Sequence, residues 1–311
     1  MNEKIKVGVI GVGHLGKEHA RVYSQLADCV LIGVVDHNPK AAEAVARKTG
    51  CKVFAGAAEL AAKVDALSVV VPTIFHWNVA KGLLDAGKDV FVEKPIAETT
   101  AQAEAMVRLA NEKKVVLQVG HIERFNPVLS YLETNLHEPK FIEAHRLSPY
   151  PGRGTDVSVV LDLMIHDLDV ILHLVKSPLV SFDAVGVAVL SSSEDIANVR
   201  LKFANGCVAN VTTSRISPEK MRKIRVFSSS SYVSLDYQNQ EGQVYWKDVD
   251  GIKRDKVPVT KDEPLKLELA SFIESVRHRK EPKVSGEQGK RALDVAAAIV
   301  EQIRGNGGGK G

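Results

Sequence analysis

Gly11-Val12-Gly13-His14-Leu15-Gly16 decides how the first part of this chain is read. Glycine stands at the first, third and sixth places. The stretch follows the unbroken β-branched run Ile5–Ile10 and opens a helical pattern from Lys17 to Gln25. Strand, glycine turn and helix in that order form a seat for a pyrophosphate. The first glycine permits the tight turn, the second lets the backbone approach the anion, and the third lets helix and strand pack closely. The helix N-terminus offers its N–H groups to the phosphates. Asp36 closes the next run, Val30–Val35, 20 residues after Gly16. A carboxylate there accepts hydrogen bonds from a ribose. Loop, context and acidic spacing together point to a dinucleotide. The same carboxylate disfavours a 2′-phosphate, so NAD is expected over NADP, and His37 and Asn38 add no phosphate-binding fork.

Outward from this loop, the runs Ala66–Val71, Val90–Val92 and Val115–Val119 are also unbroken and β-branched, as strands buried on both faces should be. Helical stretches such as Ala41–Lys48 and Ala101–Lys113 lie between runs, the second opened by a capping-box pattern of Thr99 and Gln102. The alternation predicts an α/β Rossmann domain over residues 1–121, with a parallel sheet and right-handed crossovers. The rhythm then changes. A loop rich in Pro, Gly and Arg (149–154) precedes a helical pattern from Val157 to Leu174. Alternating segments follow at Val180–Leu190, Asn198–Phe203, Cys207–Ser214, Ile224–Ser228 and Tyr232–Tyr237. Asn205-Gly206 between two of them is a hairpin signal. Helical patterns at about 264–279 and 286–303 close an α+β domain with a mostly antiparallel sheet, predicted over 122–304. The glycine-rich tail 305–311 is expected to be disordered.

The composition is that of an ordinary globular protein, with 45% apolar and 25% charged residues in 311 and a net charge of +3. That charge is too small to argue for nucleic acid or an anionic membrane. With no apolar run of membrane-spanning length, and a start that goes straight into a strand pattern, neither a membrane span nor a signal peptide is expected. Cys29, Cys51 and Cys207 are scattered, as expected of free thiols in a reducing cytoplasm.

Ligands of open α/β sheets bind at the carboxyl ends of the strands. The run Val90–Val92 ends there in Glu93-Lys94-Pro95, where Pro95 disfavours helix for Lys94 and presents it at the sheet edge. A solvated loop lysine would have the same sequence. Asp162 and His166 lie four apart in a helical pattern and so share a face. Histidine is suited to exchanging a proton near neutrality, with the carboxylate to orient it. A solvent-facing helical pair reads the same way. His166, Asp169 and His173 also stand at helical spacings, but without the fixed pattern of a zinc motif, and no metal is expected.

Taken together, these residues resemble the Gfo/Idh/MocA family of glucose–fructose oxidoreductase and inositol dehydrogenase. The likeness runs through Gly11–Gly16, Glu93-Lys94-Pro95, Gly120 to Arg124-Phe125-Asn126-Pro127, Asp162 to His166 and Asp169. It continues through Phe203–Gly206, Glu268–Phe272 and Val284-Ser285-Gly286. The resemblance implies a nicotinamide-dependent dehydrogenase of sugar-type alcohols, with an open second-domain sheet that forms homodimer or homotetramer contacts. It implies that Lys94 lines the nicotinamide ribose, that His166 is the acid/base with Asp162, and that Pro72, Thr73 and His76 line the cofactor. The segment His121–Pro127 looks like that of a subgroup oxidising the 3-hydroxyl of UDP-N-acetylglucosamine or related uronic acids. That reading assigns Arg124, Asn126 and Arg153 to the substrate, since arginine forks suit diphosphates and carboxylates. Interface arginines read equally well. An inositol or free-sugar dehydrogenase, or a sensor that holds a dinucleotide without turnover, are the other readings. Intact Lys94, Asp162 and His166 favour an enzyme.

Overall fold

The computed structural model describes residues 3–150 and 157–307. The chain forms two compact units, one of Met1–Ile122 with Glu263–Arg291, the other of Glu123–Asp262 with Ala292–Gly311.

The first unit begins β1 (Ile5–Ile10), α1 (Gly16–Gln25), β2 (Cys29–Val35), α2 (Pro39–Thr49), β3 (Lys52–Val53) and α3 (Ala57–Ala61). It continues β4 (Ala66–Val69), α4 (His76–Asp85), β5 (Asp89–Glu93), α5 (Thr100–Lys113) and β6 (Leu117–Gly120). All six strands are parallel, in the order β3-β2-β1-β4-β5-β6. The order reverses between β1 and β4, so the ligand crevice of such a sheet opens at the carboxyl ends of these two strands. Val7, Val9, Val69, Val90 and Val92 are fully buried, which explains why the runs show no alternation. Local chemistry sets the helix ends. Asn38 caps α2 by accepting from Lys40 N and Ala41 N, with Pro39 in the first turn. Thr99 caps α5 by accepting from Gln102 N at 3.2 Å, but the return half of the capping box is absent, because Gln102 Oε1 is buried without a hydrogen bond.

The second unit contains α6 (Leu129–Asn135), β7 (Phe141–Leu147), a π-helical turn at Val160–Met164, and α7 (Ile165–Val175). Then come β8 (Leu179–Val187), β9 (Ile196–Phe203), β10 (Val208–Ser214), β11 (Met221–Phe227), β12 (Ser231–Asp236), β13 (Glu241–Asp248) and β14 (Gly251–Lys256). Its sheet has the order β14-β13-β12-β11-β7-β10-β9-β8, parallel only between β7 and β10. Ile165, Leu168 and Ile171 of α7 share one core with Ile142, Val199, Val211 and Ile224 of the sheet.

The chain closes with α8 (Pro264–His278) and α9 (Gly286–Gly307). Here the sequence expectation is corrected. Residues 263–291 belong to the first unit, not to a continuous second domain over 122–304. Leu269, Phe272 and Ile273 of α8 sit in the core of Val7, Val9 and Phe91, with Phe272 edge-on to Phe91 at 5.8 Å. Gln118 of β6 donates to Glu268 O at 3.2 Å, and Val119 N donates to Val284 O at 3.0 Å. Residues 305–307, expected in a disordered tail, lie in α9, and 308–311 fall outside the described residues. Among the described residues, no helix is long and apolar enough to cross a membrane.

Candidate active site

In the first unit the three glycines have distinct jobs. Gly11 has φ +85°, and a Cβ there would stand 2.5 Å from Val70 O. A Cβ on Gly16 would lie 1.8 Å from Gly11 O, so the loop closes on its own helix only because no side chain is present. A Cβ on Gly13 would meet nothing within 4 Å. Steric need for glycine is thus confined to the outer two, and the middle one leaves open a space that a Cβ would fill. His14 and Leu15 beside it are exposed, and α1 starts at Gly16. Asp36 braces the loop, accepting from Val12 N at 2.7 Å and Asn38 N at 2.8 Å. Open backbone at Gly13, a helix N-terminus and a fixed carboxylate at the next strand end fit a dinucleotide's pyrophosphate and ribose.

At the end of β4, Pro72 is exposed and Thr73 half-buried in a 3₁₀ turn that leads into α4. His76 differs from the expectation of a cofactor-lining side chain. It is 1% exposed, and its two ring nitrogens lie 2.9 Å from Pro95 O and 2.9 Å from Val71 O. It ties the ends of β4 and β5 together. Burial pushes its pKa down, and the two carbonyls offset only part of that. Lys94 follows β5 at a cis Lys94–Pro95 peptide. Glu93 turns inward, its Oε1 3.0 Å from His19 Nε2 and its Oε2 accepting from Lys94 N at 3.2 Å. Burial alone would raise the Glu93 carboxyl. The His19 hydrogen bond and the charges of His19 and Lys94 outweigh it and hold the group below its ordinary value.

In the second unit, Asp162 lies in the π-helical turn and His166 one residue into α7. Both are half-buried, whereas Asp167 and Asp169, which follow His166, are buried. π-turns within helices are frequent at functional sites, because the extra residue re-aims side chains. Two buried ion pairs hold the helix in the turn after His166. Arg146 of β7 grips Asp167 with two bonds, at 2.7 and 3.1 Å, and Glu123 with a third at 3.0 Å. Burial works against the charge on Arg146, but the two carboxylates more than offset it. Arg124 reaches Asp169 at 3.4 Å. Asp169 is therefore committed to an arginine, and His173 lies 3.0 Å from Glu133, so neither joins His166 in a ligand set.

This corrects the reading of the 121–127 segment. Arg124 is 1% exposed and Asn126 5% exposed. Asn126 donates to Glu123 at 3.4 Å and to Tyr237 O at 3.0 Å. Arg124 Nη1 is turned toward Asp169, and the Asn126 amide toward Glu123 and Tyr237 O. Arg153 lies outside the described residues.

Two family profiles match the chain. One, described as an oxidoreductase family with an NAD-binding Rossmann fold, covers residues 5–121, and the Gfo/Idh/MocA C-terminal domain covers 133–233. The UDP-N-acetylglucosamine 3-dehydrogenase of Acidithiobacillus ferrooxidans is 35% identical, across 95% of this chain and 96% of its own length. The chain belongs to the Gfo/Idh/MocA oxidoreductase family. The inositol 2-dehydrogenase of Rhizobium meliloti is 28% identical over 96% of this chain and 97% of its own. The solved structure of the A. ferrooxidans enzyme superposes with a TM-score of 0.93 at 34% identity, covering 98% of this chain and 99% of that one. Levoglucosan dehydrogenase in complex with NADH and levoglucosan, at 19% identity, shares the fold, with a TM-score of 0.89 over 97% and 98% of the two chains.

As a Gfo/Idh/MocA oxidoreductase the chain is an NAD-dependent enzyme. The sequence reading of this family member missed His19, Arg146 and Asp167. One signal for His19 was present: with Gly16, Ala20, Val22 and Tyr23 it occupies the buried stripe of α1, where a polar residue calls for a partner.

Proposed function

We propose that the chain oxidises a secondary hydroxyl of a nucleotide-linked sugar, the 3-hydroxyl of UDP-N-acetylglucosamine or a related UDP-sugar, with NAD as acceptor. The observation that carries this is the likeness to a UDP-N-acetylglucosamine 3-dehydrogenase, which runs over both units and not only the cofactor domain. Bound NAD supplies the hydride acceptor at its nicotinamide ring. Gly13 and the N-terminus of α1 receive the pyrophosphate, and Asp36 the ribose hydroxyls. Lys94, held at the end of β5, lines the nicotinamide ribose, with Pro72 and Thr73 on the neighbouring strand end. His166 takes the substrate hydroxyl proton on its imidazole while Asp162 orients the ring. Arg124 and Asn126 serve by holding α7, and Arg153 is the cation proposed for the diphosphate.

A second copy of the chain is proposed to cover the sheet of the second unit, giving a homodimer or homotetramer. Support comes from a row of half-buried rings across four strands of that sheet. Phe141 and Phe227 are 5.7 Å apart, Phe227 and Tyr232 4.6 Å, and Tyr232 and Tyr245 5.1 Å. Light scattering tests the particle mass. The cytoplasm, which holds both NAD and nucleotide sugars, is the proposed place of action.

The likeness to inositol 2-dehydrogenases supports a second reading, a free polyol as substrate. A panel of UDP-sugars, inositols and free sugars, read by absorbance of the reduced cofactor, separates the two. Turnover of UDP-N-acetylglucosamine is expected. Turnover of inositol, with no UDP-sugar binding at millimolar concentration, would overturn the nucleotide-sugar reading. A sensor without turnover would reduce NAD with none of them.

A further inference from the structure

The first unit holds a buried histidine that this chemistry does not use. His19 lies in the first turn of α1, three residues after Gly16, and is 1% exposed. Its ring stands edge-on to Phe91 of β5, with centroids 5.2 Å apart, and its Nε2 is 3.0 Å from Glu93 Oε1. The second Glu93 oxygen accepts from the backbone N of Lys94 at 3.2 Å. The next strand leaves room for the carboxylate, since a Cβ on Gly120 would come within 2.8 Å of Glu93 Oε2. One carboxylate thus joins the helix that begins at the phosphate loop to the backbone of the lysine.

Packing alone does not call for histidine here. The other side chains of the buried stripe are Ala20, Val22 and Tyr23, and an apolar residue would fill position 19 beside Phe91. His19 Nδ1 is moreover buried without a hydrogen bond, a cost that an apolar residue would not carry. What histidine adds is the bond from Nε2 to Glu93. With Glu93 anionic, its Oε1 accepts from that nitrogen. A buried carboxylate that lost its donor would turn or take up a proton, and either change frees the turn at Lys94.

We propose that His19 is a positioning residue for Lys94: by holding Glu93 it fixes the Lys94–Pro95 turn and couples the placement of the lysine to the helix that receives the cofactor's phosphates. The inference rests on the reading of Lys94 as an active-site lysine, and the test separates the two. Turnover of UDP-N-acetylglucosamine with NAD and calorimetric NAD affinity are measured for His19→Leu, His19→Gln, Lys94→Ala and the double variant His19→Leu/Lys94→Ala, with thermal melts alongside. Glutamine places its Nε2 about where the ring nitrogen stands and so keeps the donor. His19→Leu should lower kcat about tenfold or more, since small misplacements of positioned groups are costly, while NAD affinity stays within about threefold. His19→Gln should recover most of the rate. In the Lys94→Ala background the leucine should cost little further, because the effect passes through the lysine. Additive losses in the double variant, or glutamine no better than leucine, would show a structural role only and overturn the proposal. A fully active His19→Leu beside an impaired Lys94→Ala overturns the coupling alone, whereas a fully active Lys94→Ala removes the lysine reading and the coupling with it. Should the leucine variant fail to fold, Gly120→Ala displaces Glu93 without touching His19. It should show the same loss of kcat and the same dependence on Lys94.

Discussion

Adding one methyl group at Gly13 and one at Gly16 should separate binding from folding within a six-residue loop. At Gly13 the backbone is outside the left-handed region and a Cβ meets no protein atom within 4 Å. Alanine there stiffens the unfolded chain, so stability should hold or rise by about 0.4–1 kcal/mol. The space it fills is the one proposed to admit a phosphate to the loop. A charged N–H bond to phosphate needs about 2.7–2.9 Å, whereas a carbon keeps an oxygen at about 3.3–3.6 Å. The methyl group therefore breaks at least one such bond, at a cost of about 1.5–3 kcal/mol. That weakens NAD roughly 10- to 150-fold. At Gly16 the added carbon would lie 1.8 Å from Gly11 O, a backbone atom that cannot move aside alone, so Gly16→Ala should lose about 3 kcal/mol or more of stability. Calorimetric titration of NAD and thermal melts of both variants read the two effects. Wild-type NAD affinity in a folded Gly13→Ala, or a melt that falls as far as that of Gly16→Ala, would refute the assignment of the phosphate to this gap.

Three further outcomes are expected. Because Asp36 is fixed by two backbone N–H groups and cannot swing away, the unmodified protein should bind NADP at least about tenfold more weakly than NAD, and tighter NADP binding in a parallel titration would contradict this. Arg146→Met leaves Asp167 and Glu123 buried without their cation and should cost about 3–5 kcal/mol in urea unfolding, part of it recovered by adding Asp167→Leu. His76 is buried with its pKa below the usual 6.5, so the unfolded chain takes the proton first: the contribution of His76 is full above that pH and declines as pH falls through it. Urea midpoints compared on the two sides of that pH should fall less in His76→Asn than in the parent, and equal falls would exclude the linkage.

The parts of the fold legible in sequence were those whose signal is local. The glycine loop, the apolar runs of β1, β2, β4 and β5, and the long helices each carry their cause within a dozen residues. β14 carries none, since all six of its residues are exposed and no alternation marks it. β3 is two exposed residues at the sheet edge. β7 does alternate, but its place in the centre of the sheet depends on strands more than 60 residues further along. The same holds for the site. Asp162 and His166 are visible as a spacing, yet whether Arg124 faces a ligand or a carboxylate depends on Asp169, 45 residues away. The partner of Glu93 lies 74 residues earlier, at His19. Long polar side chains are ambiguous until their partners are placed, because the same arginine is costly when buried alone and stable when paired.

The return of α8 to the first unit sets the order of events on the ribosome. Phe91 and the edge of β6 acquire their cover only when Phe272, Glu268 and Val284 have been made, after the whole of the second sheet. At ordinary elongation rates that interval is on the order of ten seconds. During it the nascent nucleotide-binding half carries an apolar flank exposed to chaperones and to other chains. A gene shortened before residue 263 would leave that flank bare for good, so the smallest piece expected to behave as an independent cofactor-binding protein is two separate stretches of chain joined by a linker, not residues 1–122 alone.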